Sequence, residues 1–395
     1  MNYFDLEKKY LFQTYKRTPL LFVKGTGKYL YDNLGNKYLD MFSGISVSSV
    51  GYCNPRIVKT IKRQLDILIH LSNLFYSKTQ IELAEMFSDV SFGDKVFFSN
   101  SGAEANECAI KLARKYGHGR YEIIVFNNSF HGRTIATLSA TGQKKFHEGF
   151  APLLKGFKFA VFNDISSVKK LLNKRTCAIL IEPVQGESGI YPADKTFLKE
   201  LRALCDKNDL LLIFDEIQCG LGRTGRLFAY ESYGVVPDIM TLAKSLGGGL
   251  PIGATIAKEK AASCFKYGDH GSTFGGNPIC CAAAIEVLKI LRDKKLLKHI
   301  ADTGKYFINR LTMLKEKHTV IKEIRGMGFM IGVELNVKGS EIVSKCFEKG
   351  LLINCTKEKT LRFLPPFIIC KSDIDRTINI LDNALKSTAG GQKGG

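Results

Sequence analysis

Leu210-Leu-Leu-Ile-Phe-Asp215-Glu216 carries five apolar residues without interruption and then two carboxylates. A run that lacks the polar alternation of a half-exposed strand predicts a strand covered on both faces. Its C-terminal end is where open α/β sheets place their ligands. Six further segments read as strands of the same sheet: Lys95–Ser99, Glu122–Phe126, Phe157–Phe162, Cys177–Ile181, Ile239–Leu242 and Gly253–Ala257. Helix-like stretches separate them at Glu104–Tyr116, Ser167–Asn173, Lys195–Lys207 and Ile279–Leu291. In the first of these, Ala105, Cys108, Ala109 and Leu112 recur at helical spacing. Strand–helix alternation predicts an α/β domain around a mainly parallel, seven-stranded sheet.

That large domain is expected to span 56–290. Before it, 1–55 is turn-rich, with strand-like pieces at Lys28–Asp32 and Lys37–Phe42 around Asn33-Leu34-Gly35-Asn36. This N-terminal segment is expected to pack with a second, smaller domain. After 291 the pattern changes to a helix near 296–314, strands near Lys322–Arg325 and Met330–Leu335, a helix near Ser340–Lys349, two short strands and a final helix at 372–386. This predicts a small α+β C-terminal domain over 291–387, with 388–395 as a disordered tail.

Composition narrows the function. The chain has 395 residues, 45% hydrophobic and 24% charged, as in an ordinary globular protein. No apolar run approaches the roughly 18–20 residues of a membrane span. Met1–Lys9 is mixed in charge and predicts no secretory leader, so a cytoplasmic protein is expected. The eleven cysteines are odd in number and lack a C-x-x-C pair, which argues against a disulfide framework or zinc site. The seven histidines form no H-E-x-x-H or comparable pattern, and no metal is expected. A net charge of +19 raises the question of a nucleic-acid partner. The basic residues, however, come as scattered pairs such as Lys144-Lys145 and Lys169-Lys170, with no zinc-finger or RNP-like motif, so none is expected.

Four stretches carry candidate chemistry. Asp215 sits at a strand end, as a Walker-B acid does, but no G-x-x-x-x-G-K-[ST] loop accompanies it; a turn-capping Asp is the plain alternative. Gly220-Leu-Gly222-Arg-Thr-Gly225 matches G-x-G-x-x-G. A dinucleotide fingerprint joins strand directly to helix, whereas here Glu216–Cys219 intervene and Arg223-Thr224 fill the loop with bulk. Asp238-Ile-Met-Thr-Leu-Ala-Lys244 brings a lysine to the end of an apolar strand, ahead of Gly247-Gly248-Gly249. A desolvated lysine loses basicity and becomes a nucleophile; a surface lysine is the alternative. Ser99-Asn-Ser-Gly-Ala-Glu-Ala-Asn-Glu107 turns a strand through small residues into a helix. Its free N–H groups suit a phosphate, and Ser101 with Glu104 also reads as a capping box.

A phosphate seat, a strand-end acid and a strand-end lysine together suit pyridoxal phosphate. The phosphate needs an N–H cradle, the pyridine nitrogen a carboxylate, and the aldehyde an amine. At this point the chain resembles the class-III pyridoxal-phosphate aminotransferases, and among them the acetylornithine aminotransferases. The likeness runs from about Tyr15 to the C-terminal helix. Besides the stretches above it includes Asn128-Ser-Phe-His-Gly-Arg-Thr134, Glu182-Pro-Val-Gln-Gly-Glu187, Gly271-Ser-Thr-Phe-Gly-Gly-Asn-Pro278 and Leu361-Arg-Phe-Leu-Pro-Pro366.

The resemblance implies a type-I fold and particular roles. Lys244 carries the cofactor and moves the proton, and Asp215 pairs with the pyridine N–H. Gln218 contacts the ring hydroxyl and Phe130 stacks on the ring. Gly102 and Ala103 give N–H groups to the phosphate, with Ser101, Glu216 and Ile217 also around the cofactor. Thr273 reaches the phosphate of the neighbouring subunit, which implies a homodimer. Arg133 binds the substrate carboxylate, with Ser272 and Tyr15 nearby. Arg362 takes the second acid of 2-oxoglutarate, and Glu187 masks it otherwise. The implied reaction moves the terminal amino group of N2-acetylornithine to 2-oxoglutarate, in arginine biosynthesis. Ornithine, 4-aminobutyrate, succinylornithine and acyl-lysine are the donors of its nearest alternatives, and a nucleotide-dependent dehydrogenase is a remote one. Ile45 stands where ornithine-specific members carry a tyrosine, which favours the acetylated donor. One segment departs from the family: Gly51-Tyr-Cys-Asn-Pro55 lacks the two histidines usual there.

Overall fold

The computed structural model describes residues 2–390, the last four by backbone alone. Seven strands form the central sheet: β1 Lys95–Ser99, β2 Glu122–Phe126, β3 Phe157–Ala160, β4 Thr176–Ile181, β5 Leu211–Asp215, β6 Ile239–Leu242 and β7 Gly253–Ala257. Their order is β1-β7-β6-β5-β4-β2-β3. β7 is antiparallel to both its neighbours, and the other pairings are parallel. Every residue of β2, β4, β5, β6 and β7 is buried, which is the physical reason these strands lack alternation.

The C-terminal ends of β1, β2, β4, β5 and β6 therefore open on one edge of the sheet. The helix Gly102–Tyr116 follows β1 there and buries Ala105, Asn106, Cys108, Ala109, Leu112 and Ala113. Gly253, at the start of β7, lets the strand approach that turn closely. A Cβ on it would stand 2.3 Å from the Ser101 carbonyl oxygen, so a larger residue would push the helix start out of place.

The C-terminal part carries an antiparallel sheet of Ile321–Met327, Met330–Leu335, Thr360–Phe363 and Asn354–Thr356. A 24-residue helix, Lys294–Lys317, leads into it, capped by the Asp293 side chain on the Lys295 N–H at 2.8 Å. The N-terminal strands Phe22–Thr26, Tyr29–Asp32 and Lys37–Asp40 form a meander whose last strand pairs in parallel with Leu351–Leu352. The N-terminal segment is thus stitched to the C-terminal part through backbone bonds. The final helix runs Lys371–Gly390, beyond residue 387 where the small domain was expected to stop. The rest of the expected tail, 391–395, lies outside the described residues. Among the described residues no helix is long and apolar enough to cross a membrane.

The departure at Gly51–Pro55 has a local account. The Tyr52 hydroxyl donates to buried Asp40 at 2.5 Å, and Asn54 caps the helix Pro55–Leu65 by accepting from the Arg56 N–H at 3.1 Å. Both residues do structural work that needs no imidazole.

Candidate active site

β5 and β6 run side by side, with Asp215 opposite Thr241, so the residues that follow them emerge together. Asp215 is buried, and its carboxylate is fixed by three donors. Asn106 Nδ2 lies at 2.7 Å and His131 Nδ1 at 2.8 Å from one oxygen, and the Ile217 N–H at 3.1 Å from the other. Thr241 in turn donates to Asn106 Oδ1 at 2.8 Å, which orients that amide. A buried carboxylate held by oriented donors stays put while a further donor approaches it.

Lys244 follows β6 with a left-handed backbone, φ 44°. A non-glycine residue held in that region costs about 1–3 kcal/mol and marks a position the surroundings dictate. Its Nζ has no hydrogen-bond or ion-pair partner among the described residues. Burial pushes its ammonium below the usual lysine range, although Glu187 and Asp215 pull the other way. An amine that gives up its proton more readily is a better nucleophile and proton carrier.

Across from these groups, the helix Gly102–Tyr116 points its N-terminus into the same space. Ser101 caps it, accepting from the Glu104 N–H at 3.2 Å. The Glu104 carboxylate reaches back to the Asn100 N–H at 2.5 Å, one residue further than in a strict capping box. The N–H groups of Gly102 and Ala103 are left without an acceptor among the described residues, ready for an anion.

One cavity of about 460 Å³ gathers Ser101, Gly102, Ala103, Phe130, Arg133, Asp215, Ile217, Gln218 and Lys244. The Arg133 guanidinium is exposed and lies 4.0 Å from the Phe146 ring centroid, with no carboxylate paired to it among the described residues. Arg362, by contrast, is 1% exposed. Its Nη1 donates to Glu187 Oε1 at 2.6 Å and to the Gly186 carbonyl at 3.2 Å, and its Nε donates to Asn354 Oδ1 at 2.9 Å. Gln218 links this pair to the cavity, donating to Glu187 Oε1 at 3.2 Å. Burial works against the Glu187 carboxylate, but the Arg362 guanidinium outweighs it and holds the acid below its usual range.

Not every expected residue arrives here. The Glu216 carboxylate turns away from the cavity and accepts from the Ala229 and Tyr230 N–H groups at 2.6 and 2.7 Å. Tyr15 is 71% exposed and stacks with Arg17. Ser272 and Thr273 line a neighbouring hollow, joined to the site where Asn100 Nδ2 donates to Ser272 Oγ at 3.1 Å. Ile45 packs against the apolar cluster that includes Val184, Cys219, Met330 and Leu364, and Val47 rather than Ile45 lines the cavity.

Other residues emerge only from the structure. Asn106 and His131 orient Asp215, and Glu182 holds the loop beyond β2 by accepting from the Phe130 N–H at 2.9 Å. Burial pushes the Glu182 carboxyl up to about 7, against the pull of His131 and with the push of Asp215. A signal for Glu182 exists in the sequence: like Asp215, it is a carboxylate directly after a continuous apolar strand.

Residues 10–385 match the class-III aminotransferase family model. Over 385 residues the chain is 55% identical to the acetylornithine aminotransferase of Caldanaerobacter subterraneus subsp. tengcongensis, covering 96% of this chain and 98% of that one. It is 53% identical over 389 residues to the acetylornithine aminotransferase of Methanocaldococcus jannaschii, covering 97% and 98%. The fold matches the crystal structure of the ornithine aminotransferase from Toxoplasma gondii ME49 with a TM-score of 0.95 at 33% identity, over 98% of this chain and 95% of that one.

Proposed function

This chain belongs to the class-III aminotransferases, and from that premise we propose that it moves the terminal amino group of N2-acetylornithine to 2-oxoglutarate, a step of arginine biosynthesis in the cytoplasm. The products are N-acetylglutamate 5-semialdehyde and glutamate. The observation that carries it is the convergence of Lys244, Asp215 and the open N–H groups of Gly102 and Ala103 on one cavity.

That donor set fits pyridoxal phosphate. Gly102 and Ala103 would hold the phosphate, Asp215 the ring nitrogen, Lys244 the aldehyde carbon, and Phe130 and Ile217 the ring faces. When bound, the cofactor supplies a carbonyl for the amino group and a ring that accepts the electron pair released at the substrate carbon. The protein does the rest. Asp215, locked by Asn106 and His131, keeps a proton on the ring nitrogen. Lys244 would take the proton from the donor carbon at its Nζ and hold it until it is returned. Arg133 binds the carboxylate common to both substrates by a bidentate pair.

The Arg362–Glu187 pair distinguishes the two substrates. 2-Oxoglutarate has a second acid and acetylornithine does not, so a site serving both must offer a cation to one and neutralise it for the other. A desolvated arginine left without a partner is costly. Glu187 is the partner for the first half-reaction and swings away for the second. Glu187→Gln therefore speeds the glutamate half-reaction relative to the acetylornithine one. Single-turnover rates with each donor check this, and an unchanged ratio counts against the switch.

Donor choice follows from charge. Free ornithine brings an α-ammonium that needs acceptors, whereas the acetyl group presents a methyl to the apolar Val47 wall. The expected kcat/KM for acetylornithine exceeds that for ornithine by at least roughly tenfold, about 1.4 kcal/mol. Competing both donors in one assay with 2-oxoglutarate decides it, and ornithine ahead would reassign the donor while leaving the chemistry in place.

The site reads as half of a homodimer. Ile67, Ile69, Leu74, Phe75, Tyr76 and Phe274 are exposed apolar side chains. Their segments are tied together, since Asn73 Nδ2 donates to the Ser272 and Gly275 carbonyls and Asn277 Nδ2 to that of Ile69, each at 2.9 Å. An apolar patch of this kind marks an interface. Thr273 stands in it, outside its own cavity, as a residue serving the partner's phosphate would. Thr273→Ala is expected to weaken cofactor binding without changing the dimer's sedimentation; unchanged cofactor affinity would remove Thr273 from the site.

A further inference from the structure

The Gly220–Gly225 loop matches a dinucleotide fingerprint, yet its arginine is turned inward, and the reaction above leaves it without a role. Arg223 is 0% exposed and has no carboxylate within ion-pair distance among the described residues. Its guanidinium spends itself on neutral oxygens. Nε donates to Ser46 Oγ at 2.9 Å, Nη2 to Ser49 Oγ at 2.6 Å, and Nη1 to the carbonyls of Phe329 at 3.2 Å and Pro365 at 2.6 Å. The ring centroid of Phe367 lies 4.7 Å from its centre. Burial pushes the group down to about 9, with Asp40 the acid that offsets this. Four of its five N–H donors are thus used, which offsets part of the cost of burying the charge.

What it grips is strained. Ser43, Gly44, Ile45 and Ser46 have φ of 47°, 58°, 60° and 67°, a complete left-handed turn that includes a β-branched residue. Asp40 holds its start through the Phe42 and Ser43 N–H groups at 2.7 and 3.0 Å, and Ser43 Oγ donates to the Leu364 carbonyl. Its end is tied to the lysine loop. Ser245 Oγ donates to the Ser46 carbonyl at 2.7 Å and lies 2.7 Å from Ser49 Oγ. Ser245 directly follows Lys244, itself left-handed, and Val47, next after the turn, lines the cavity.

We propose that Arg223 is a positioning residue, a latch that holds the left-handed turn and the left-handed Lys244 as one unit and ties both to the small domain through Phe329 and Pro365. This rests on the assignment of Lys244 as the cofactor lysine. An arginine is required because its planar fork meets four acceptors from fixed directions, whereas a lysine offers its donors from a single point.

The test uses Arg223→Lys and the milder Ser49→Ala, which removes the hydroxyl that joins Arg223 Nη2 to Ser245 Oγ and to the Ser46 carbonyl. Hydrogen exchange is read first on the full chain without cofactor. The amides of Val47 and Ser48, bonded to the Ser43 carbonyl, and those of Leu246 and Gly248, bonded to Ala243 and Ser245, should speed up together by at least about tenfold. The helix Lys195–Lys207 serves as the control and keeps its rate. In the loaded enzyme both half-reactions slow by the same factor, and the pH midpoint of the lysine-linked cofactor band moves. Faster exchange at 47–48 with 246–248 unchanged, or an unmoved midpoint, overturns the latch. If Arg223→Lys does not fold, Ser49→Ala decides alone by the same readouts. A wild-type protein with no lysine-linked band would instead remove the assignment of Lys244, and the exchange data would still report on the coupling.

Discussion

Lys244→Ala is expected to retain the fold and lose turnover with both substrates by at least about 10⁴-fold, the upper range for a placed proton carrier. Two proposed roles end at once, because the same Nζ would hold the cofactor and move the proton. The fold should survive, since Nζ has no partner among the described residues and its charged form is disfavoured by burial. A near-native circular dichroism spectrum with no turnover is the expected pair of results. Borohydride reduction of the loaded wild-type enzyme, followed by peptide mapping, should label the peptide containing Lys244. Label on any other lysine would falsify the assignment.

Asp215→Asn is expected to lower turnover by roughly 10³-fold and to weaken cofactor binding, on the scale of removing a placed charge beside a developing one. The substitution keeps the shape but not the negative charge that, in the proposed arrangement, would raise the proton affinity of the ring nitrogen. It also disturbs the network behind it. Asn106 Nδ2 and His131 Nδ1 both meet one carboxylate oxygen, and an amide that keeps its oxygen there turns its NH₂ toward the Ile217 N–H. Asn106→Ala, which removes one donor and keeps the charge, should cost less. Turnover of Asp215→Asn close to wild type would mean that another acid serves the ring.

The strands were legible because burial on both faces leaves a mark that needs no knowledge of neighbours. Lys95–Ser99, Glu122–Phe126, Ile239–Leu242 and Gly253–Ala257 have the boundaries expected from their apolar runs, and the other three shift by one or two residues at one end or both. The strand Phe22–Thr26 went unread because its pattern is only partly buried and it is held by pairing with Tyr29–Asp32. The hairpin Val184–Gln185 with Tyr191–Pro192 is too short to show a period at all.

The sequence by itself determined the chemistry. Asp215, Lys244 and the Ser99–Glu107 turn each follow an apolar strand, and parallel strands must deliver their C-terminal ends to one edge. Only the tertiary structure decided how those groups are held. Asn106, His131 and Arg223 are polar side chains whose partners lie at least about twenty residues away, at positions no local period relates. Glu216, adjacent to Asp215 in sequence, faces the opposite way because successive residues leaving a strand point to opposite sides. Thr273 lines a neighbouring hollow and Tyr15 is exposed, and no local pattern in the sequence marks either as lying outside the cavity. Strand ends are a local property of the chain, whereas the hydrogen bonds that aim a carboxylate or strain a lysine exist only once distant segments have packed.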